Sequence, residues 1–473
     1  MATKIVEQCK VAPPTGAPTE QVLKLLHMDM LQLCFPVDVK ALYFYKFHCS
    51  ESYFMETIVP DLKNSLSLAL KHFAPLAGKI FIDQNSGVPV SRYVDGQDSV
   101  SLTIAISSAD FLNLTSYHPR DAAQLHGFAP DLNETFSQTS KISVLAVQLT
   151  LFPNQGVCIG ITGNHAIGDG TAWILFMKAW ASINKSNGAE QLLLTSGKEC
   201  LPFYDRDLVK DGYRRATECW RDVTSRPSPA SFTSAVYIQK PMFQATFVLS
   251  GPQIQKLKNL AIAANSKERA IVRVSSFVVT CAHLWTCLAK SAANAGEEVD
   301  DDEPEYFIIP VNCRGRLNPP LPDNYFGNCS AQVTIESTHG KIRGKEGFLA
   351  AAEAISGTIE KIIGNGRGTM DGSPKFFQDI LERLGKMVGK RMVSVGGSGV
   401  LDFYGTEFGW GRPIKFEALH GVKNLHVAWF SNSREYGGGI EIGMSMPKVN
   451  INAFAASFKQ ELAQATEKLW SKM

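Results

Sequence analysis

The stretch Ile161-Thr-Gly-Asn-His165-Ala-Ile-Gly-Asp169-Gly170 carries more information about fold and function than any other part of this sequence. It begins in an apolar run typical of a buried strand, and its glycines permit a tight turn. A histidine on a rigid strand end can accept a proton near neutral pH, because the ordinary pKa of imidazole is about 6.5. The stretch therefore predicts a general base at His165, with a purely structural histidine as the alternative.

The sequence on either side predicts a β-hairpin that leads into a helix. Apolar and polar residues alternate over residues 147–151, and the turn signal Pro153-Asn-Gln-Gly156 separates this strand from a second one over residues 157–162. Apolar residues then recur at helical spacing over residues 173–180, which favours a core-facing helix over an aromatic ligand box. Asp169 stands where that helix begins, so we favour a helix cap or a structural ion pair as its role.

The composition is that of a folded protein with few extremes of charge. The chain has 473 residues, of which 45% are hydrophobic and 19% are charged, so two or three domains with a large core are expected. Its net charge is +2 and no basic stripe stands out, which argues against nucleic acid as a partner. Ten cysteines are scattered without a Cys-x-x-Cys pair, a pattern typical of reduced core cysteines in a cytosolic protein and not of a disulfide frame or a zinc site.

Signals for targeting and for metal binding are lacking. The first twenty residues have no apolar run of the kind that a signal peptide needs, and no uncharged apolar stretch approaches about 18 residues, so we expect no membrane span. The acidic run from Glu297 to Glu305 lacks the carboxylate spacing of a calcium loop and is predicted to be a solvated loop. We therefore expect a cytoplasmic protein without a metal site, and nothing in the sequence demands more than a monomer.

The chain is predicted to be an α/β protein with two similar mixed-sheet domains. Residues 184–230 are polar and broken by glycine and proline, which indicates a crossover between domains. The halves on either side share a rough pattern of strands and helices, so they can form two similar domains that face each other. We place the N-terminal domain at residues 1–190, the linker at 191–230 and the C-terminal domain at 231–473.

Two segments in the second half also stand out. A strand-like run carries Arg314 and Arg316 into a proline-rich loop that ends in Tyr325-Phe-Gly327-Asn328-Cys329, and these arginines could pair with an acid or bind a phosphate. The other segment is Glu407-Phe-Gly409-Trp410-Gly411-Arg-Pro413, in which two glycines around a tryptophan indicate a backbone packed closely against another element. On its own, this segment predicts only a turn.

Together the three segments resemble the motifs of the BAHD family of plant acyl-CoA-dependent acyltransferases. His165-Ala-Ile-Gly-Asp169-Gly170 matches the family's HxxxDG motif. Tyr325–Cys329 matches the YFGNC motif of the branch that acylates anthocyanins and other flavonoid glycosides. Glu407–Gly411 is similar to the DFGWG motif, with glutamate in place of the family's aspartate. Residues 62–79 are similar to the family's first helix and turn, so the resemblance covers nearly the whole chain.

The resemblance implies a chloramphenicol-acetyltransferase-like fold, in which a solvent channel between two similar α/β domains reaches the catalytic histidine from both faces. His165 would be the base, and Asp169 would point away from the substrate to pair with Arg314 or Arg316. Residues 25–31, which contain Asp29, are similar to the family's early channel-lining segment. The other motif residues would, like the two arginines, be structural: Gly170, Tyr325, Gly327, Asn328, Glu407, Gly409, Trp410 and Gly411.

The resemblance also implies the reaction. His165 would take the proton of an acceptor hydroxyl, whose oxygen would attack an acyl-CoA thioester, with acyl-CoA as co-substrate and no permanently bound cofactor or metal. The acceptor would be a sugar hydroxyl of a flavonoid or anthocyanin glycoside, and the acyl group hydroxycinnamoyl or malonyl. No lysine or arginine lies between Asp169 and Lys178, where Trp173 stands instead, so we slightly favour the aromatic acyl group.

The sequence offers only candidates for the CoA-binding residues, and it leaves two other functions as alternatives. Lys256, Lys258 and a predicted helix start at Ser275-Ser276 are candidates for binding the phosphates of CoA, because lysines and helix N-termini attract anions. The same fold could acylate another alcohol or an amine. It could also bind a CoA ester or a phenolic glycoside without reaction, although an intact His165 argues against that function.

Overall fold

The chain folds into three β-sheets with helices packed around them. The computed structural model describes residues 3–34, 38–132, 141–188, 200–225, 241–265, 271–364, 382–383, 385–419 and 426–470. In chain order the strands are β1 (Thr3–Val11), β2 (Glu20–Lys24), β3 (Asp38–Lys46), β4 (Lys79–Ile82), β5 (Pro89–Val94), β6 (Val100–Ser107), β7 (Arg120–Asp121), β8 (Ile142–Ser143), β9 (Leu145–Phe152), β10 (Gly156–Asn164), β11 (Met242–Leu249), β12 (Pro304–Asn312), β13 (Ser330–Thr338), β14 (Arg391–Gly397), β15 (Lys415–Leu419), β16 (His426–Asn432) and β17 (Ile440–Pro447).

The longer helices lie mainly against the two larger sheets. They are α1 (His27–Cys34), α2 (Val59–His72), α3 (Gly170–Lys185), α4 (Gly212–Thr224), α5 (Gly251–Ala263), α6 (Ser276–Asn294), α7 (Gly347–Gly364) and α8 (Lys448–Trp470). Short helical segments lie at Glu51–Tyr53, Phe54–Ile58, Ala74–Leu76, Phe111–Leu114, Ala123–His126, His165–Ile167, Arg314–Arg316, His339–Arg343 and Phe403–Gly405. No helix in the described part of the chain is long and apolar enough to cross a membrane.

The first large sheet holds the predicted hairpin at its centre. Its strand order is β1-β6-β9-β10-β3-β15, and β9 pairs antiparallel with β10 as the sequence predicts. All residues of β9 are buried because the sheet is covered on both faces. On one face α2 and α3 pack together, and the aromatic residues of α3 enter the core, which confirms the predicted core-facing helix.

The second large sheet is built mostly from the C-terminal half. Its strand order is β13-β12-β14-β16-β17-β11-β7, with both parallel and antiparallel pairs. α6 is buried along nearly its whole length because α7, α8 and the sheet surround it. A smaller antiparallel sheet has the order β2-β5-β4-β8. Mixed sheets in two sheet-rich halves confirm the predicted α/β class.

Each large sheet contains a strand from the other half of the chain. β15 comes from the C-terminal half but pairs with β3 at the edge of the first sheet. β7 comes from the N-terminal half but pairs with β11 in the second sheet. The two halves are therefore interlocked, and the domain limits at 190 and 231 stay a prediction. The predicted crossover 191–230 is described only over residues 200–225, which include α4 packed against α1; the rest lies outside the described residues.

A cluster of buried charged side chains lies where β15 meets the second sheet. Glu417 contacts Arg120 of β7, lies 3.4 Å from Lys415 and accepts a hydrogen bond of 2.7 Å from Gln244. Lys415 also lies 3.9 Å from Glu441 of β17. Burial acts to raise the pKa of Glu417, but the positive charges of Arg120 and Lys415 outweigh it and lower that pKa below its ordinary value. Ionised groups of opposite sign therefore join the two sheets.

The acidic run from Glu297 to Glu305 is not the fully solvated loop that the sequence predicts. β12 begins at Pro304, and Glu305 is only 3% exposed. The Glu305 carboxylate accepts a hydrogen bond of 2.7 Å from the Trp285 indole and lies 2.6 Å from His339 Nδ1. A buried carboxylate needs such partners, and here they come from segments that the local sequence pattern does not reveal.

Breaking the buried charge cluster should destabilise the fold. We expect Glu417→Ala to lower the free energy of unfolding by about 3–5 kcal/mol, because Arg120 would be left buried without its counter-ion. Chemical denaturation of both proteins measures this difference. Glu218→Ala is the matched control, since it breaks an exposed pair with Arg214 and should change stability little. A Glu417 variant as stable as the control would show that the cluster does not hold the sheets together.

Candidate active site

His165 stands at the point where β10 gives way to a short helical turn. Asn164, the last residue of β10, pairs with Asp38 of β3, so the strand end is fixed in the sheet. The side chain of Asn164 accepts a hydrogen bond of 3.0 Å from the amide of Ala166 and caps the turn His165–Ile167. α3 begins soon after, at Gly170. The predicted strand, turn and helix are thus all present, and they place the imidazole on a rigid support.

The imidazole of His165 is partly buried. Its Nδ1 atom is enclosed, and no hydrogen-bond partner reaches it among the residues that the structure describes. The side chain as a whole keeps partial exposure. The ring is therefore neither sealed in the core nor tied to a carboxylate, which leaves Nε2 as the nitrogen available to a substrate.

Asp169 has a structural environment. Its carboxylate caps α3 by accepting hydrogen bonds from the amides of Thr171 and Ala172, at 3.1 and 3.3 Å. Arg314 binds the same carboxylate through two nitrogens, at 2.8 and 2.9 Å, and the amide of Cys329 donates to it at 3.0 Å. Five donors surround a side chain that is only 9% exposed. They leave the carboxylate little capacity to bind a substrate.

Of the two candidate arginines, Arg314 makes the ion pair. It is 1% exposed and also donates to the carbonyls of Tyr325 and Gly327, at 3.0 Å each. Burial acts to lower the pKa of Arg314, but the Asp169 charge more than compensates and raises it. Arg316, by contrast, is exposed and donates to the carbonyl of Asn312.

A second buried ion pair, between Asp29 and Arg206, also contacts the Tyr325–Cys329 loop. Asp29 is fully buried and contacts Arg206, which also donates to the carbonyl of Phe326 at 3.1 Å. Sequence reasoning missed Arg206, because it lies in a polar stretch 177 residues from its partner. Asp29 was placed only by its resemblance to a channel-lining segment, and no local signal marks it as half of an ion pair.

Both buried arginines lie near the ring of Tyr325. The guanidinium carbons of Arg206 and Arg314 are 5.7 and 5.8 Å from its centroid, which are cation–π distances. Gly327 follows in the same crowded place, where a Cβ atom would lie 2.8 Å from the Tyr325 ring and 3.0 Å from Arg206. Burial raises the pKa of the Cys329 thiol to about 12, so that thiol stays neutral and is a poor nucleophile.

Trp173 belongs to the core of the N-terminal half. Its side chain is buried, its indole nitrogen donates to the carbonyl of Gly168 at 3.0 Å, and its ring packs on Gly163. It is therefore not available to stack on an aromatic acyl group, and this part of the argument for a hydroxycinnamoyl donor is wrong. Lys178, the next cation along the helix, lies 3.2 Å from Asp402.

The Glu407–Gly411 segment fastens the C-terminal half to β3 and α3. Glu407 lies 2.6 Å from Lys185, so the longer acid still finds a cation at the end of α3. The side chain of Asn184 donates to the carbonyl of Phe408 at 2.7 Å. The Phe408 ring is buried against the N-terminal core. Gly409 has φ = 104°, a conformation that residues with a Cβ rarely adopt.

The candidate CoA-binding residues lie on two neighbouring helices. Ser275 caps α6 by accepting a hydrogen bond of 3.2 Å from Val278, and Ser276 is the first residue of that helix. Lys256 and Lys258 lie on α5, which packs against α6. Their role in binding CoA stays a prediction. Among the described residues, no group of three or more His, Cys, Asp and Glu side chains is placed to hold a metal ion.

Comparison with known proteins agrees with the motifs. The model of the Transferase family matches residues 3–461. A phenolic glucoside malonyltransferase from Nicotiana tabacum is 39% identical over 87% of this chain and 88% of its own length. A coumaroyl-CoA:anthocyanidin 3-O-glucoside-6''-O-coumaroyltransferase from Arabidopsis thaliana is 33% identical over 97% of each chain. The crystal structure of vinorine synthase shares the fold, with a TM-score of 0.70 and 21% identity over 96% of each chain.

The chain therefore belongs to the Transferase family, and the BAHD resemblance of its motifs is confirmed.

Removing the charge of Asp169 should act mainly through stability. We expect Asp169→Asn to lower the free energy of unfolding by about 3–5 kcal/mol, because Arg314 would stay buried without a counter-ion. Arg316→Ala, which changes the exposed arginine of the same turn, is the control and should leave stability unchanged. If Asp169→Asn kept normal stability yet lost turnover, the carboxylate would act in the chemistry and not in the fold.

The positive φ of Gly409 should also have a measurable effect on stability. We expect Gly409→Ala to destabilise the protein by about 1–2 kcal/mol, because a Cβ atom disfavours this backbone conformation. The same substitution at Gly357, within α7 and with no atom near the new methyl group, should instead stabilise it by about 0.5–1 kcal/mol. Thermal unfolding of the two variants checks the opposite signs.

Proposed function

We propose that this chain transfers an acyl group, hydroxycinnamoyl or malonyl, from an acyl-CoA to a sugar hydroxyl of a flavonoid or anthocyanin glycoside. The observation that carries the proposal is the placement of His165, whose ring is partly exposed at a rigid strand end while Asp169 is occupied by structural donors. Membership of the Transferase family and the names of the tobacco and Arabidopsis relatives support the same reaction.

In this mechanism Nε2 of His165 takes the proton of the sugar hydroxyl. The sugar oxygen forms a bond to the thioester carbonyl carbon, and a carbonyl electron pair moves onto the carbonyl oxygen. When that tetrahedral intermediate collapses, the carbon–sulfur bond breaks and the proton held by His165 passes to the CoA thiolate. The products are the acylated glycoside and CoA. General-base catalysis of this kind typically contributes about 10²–10⁴-fold.

The names of the relatives, more than the site itself, indicate which acyl groups are candidates. The buried Trp173 does not favour an aromatic group, and the tobacco relative is named a malonyltransferase. The Arabidopsis relative is named a coumaroyltransferase, so the two donors are both candidates. A malonyl group would require a cation near His165, and Lys178 already lies beside Asp402.

We also propose that the protein acts as a cytoplasmic monomer on small molecules alone. The nine cysteine side chains that the structure describes are free, as expected for cysteines in a reducing compartment. Size-exclusion chromatography with light scattering tests the oligomeric state.

A substrate panel tests the proposed function directly. Malonyl-CoA and p-coumaroyl-CoA are each combined with flavonoid glucosides, an unglycosylated flavonoid and an amine, and the products are identified by mass. Acylated glucoside and released CoA thiol are the expected products. Transfer to the amine alone would favour the amine acyltransferase, and binding of CoA ester without any thiol release would favour a non-catalytic binding protein.

Removal of the base should abolish turnover and leave the fold intact. We expect His165→Ala to lower kcat by about 10²–10⁴-fold with an unchanged melting temperature, because the ring makes no hydrogen bond with the described residues. His118→Ala, which removes an exposed histidine, is the control and should keep normal kcat. Near-normal turnover of His165→Ala on a confirmed substrate pair would overturn the assignment.

A further inference from the structure

The side chain of Asn328 is the direct link between a buried ion pair and His165. Its Nδ2 atom donates two hydrogen bonds of 2.8 Å, one to the main-chain carbonyl of His165 and one to the carboxylate of Asp29. Its main-chain amide donates to the same carboxylate at 3.2 Å. Asn328 is 2% exposed, so these contacts are shielded from water.

The two acceptors fix which way the amide of Asn328 faces. A carboxylate and a carbonyl oxygen both require a donor, so only the nitrogen of the amide can face them. The other amide atom, Oδ1, is then buried without a partner among the described residues. Burying the unpaired Oδ1 costs free energy. In return, the amide of Asn328 donates both of its N–H groups to buried acceptors.

Asp29 is itself immobilised. Its carboxylate accepts a hydrogen bond of 2.8 Å from the amide of Leu26 and contacts Arg206, whose other nitrogen donates to the carbonyl of Phe326. Asn328 is thus held by a carboxylate that is itself fixed by the backbone just before α1 and by Arg206, which is anchored in turn on the carbonyl of Phe326. Such a chain of charge-assisted hydrogen bonds is rigid.

The carbonyl of His165 is an effective place to hold this residue. No hydrogen bond from the described residues reaches the imidazole itself, so the ring direction depends on the backbone and on packing. The carbonyl belongs to the first residue of the turn that follows the strand end, where its orientation is tied to the direction of the Cα–Cβ bond. Displacement of a reacting group by about 1 Å can cost about 10²-fold in rate.

We propose that Asn328 is a positioning residue for His165, and that the Asp29–Arg206 ion pair serves the reaction by holding Asn328. Asn328 touches neither substrate nor reacting atoms; it acts through the backbone of the base. The inference rests on the proposed function only in taking His165 as the base.

The test compares Asn328→Ala with Asn324→Ala. Asn324 lies in the same loop, and its side chain donates to the carbonyl of Leu201 at 2.7 Å, so the control removes a comparable amide away from His165. We expect Asn328→Ala to lower kcat by about 10–100-fold with KM for acyl-CoA within about threefold. The control should keep kcat. Equal loss of kcat in the two variants would show a general structural effect and overturn the proposal.

A second measurement observes His165 without any substrate. The protein is labelled in its histidine rings, and the His165 signals are assigned by their loss in His165→Ala. We expect Asn328→Ala to shift these signals, whereas Asn324→Ala should leave them unchanged. Unchanged His165 signals in Asn328→Ala would overturn the proposal. If His165→Ala keeps its turnover while the signals do shift, the proposed function fails and the positioning contact stands.

Arg206→Lys covers the case in which Asn328→Ala does not fold. Lysine keeps the positive charge beside Asp29 but cannot also reach the carbonyl of Phe326, so it loosens the support without removing it. We expect an intermediate loss of kcat and a smaller shift of the His165 signals in the same direction. Normal kcat together with unchanged signals in this variant would contradict the role of the ion pair.

Discussion

The ion pair between Asp169 and Arg314 fixes the junction on which the proposed site depends. Each ion buried away from water costs several kcal/mol, and here the carboxylate offsets that cost by accepting from three backbone amides and two guanidinium nitrogens. Asp169 caps the start of α3, and Arg314 also binds two carbonyls of the Tyr325–Cys329 loop. One ion pair thus connects a helix, a strand end and a loop. His165 lies four residues before Asp169 in the chain.

The same kind of contact recurs at two other places between distant segments. The pairs Asp169–Arg314, Asp29–Arg206 and Arg120–Glu417 join residues that are 145, 177 and 297 positions apart. Such contacts form only when both partners are already folded into place, and an unpaired member would be a buried charge. We infer that the two halves depend on each other for stability, as the exchange of β7 and β15 also indicates.

Local features of the fold and site could be predicted from the sequence, and features set by distant partners could not. The hairpin, the core-facing α3 and the structural role of Asp169 follow from spacing and turn residues that lie side by side in the chain. The local sequence indicates that Arg206 and Glu305 are both solvated, because a charged residue in a polar stretch is usually exposed. Only the tertiary structure shows that each faces a buried partner.

In the proposed mechanism His165 is a base that is positioned by its backbone and not supported by a carboxylate. The charge of Asp169 is matched by Arg314, and in the described part of the chain no acid pairs with the imidazole. A thioester is already a reactive acyl donor, so a modest base suffices if both substrates are well oriented. Under that condition the direction of the ring matters more than its charge environment, and we propose that the contact of Asn328 with the His165 carbonyl controls that direction.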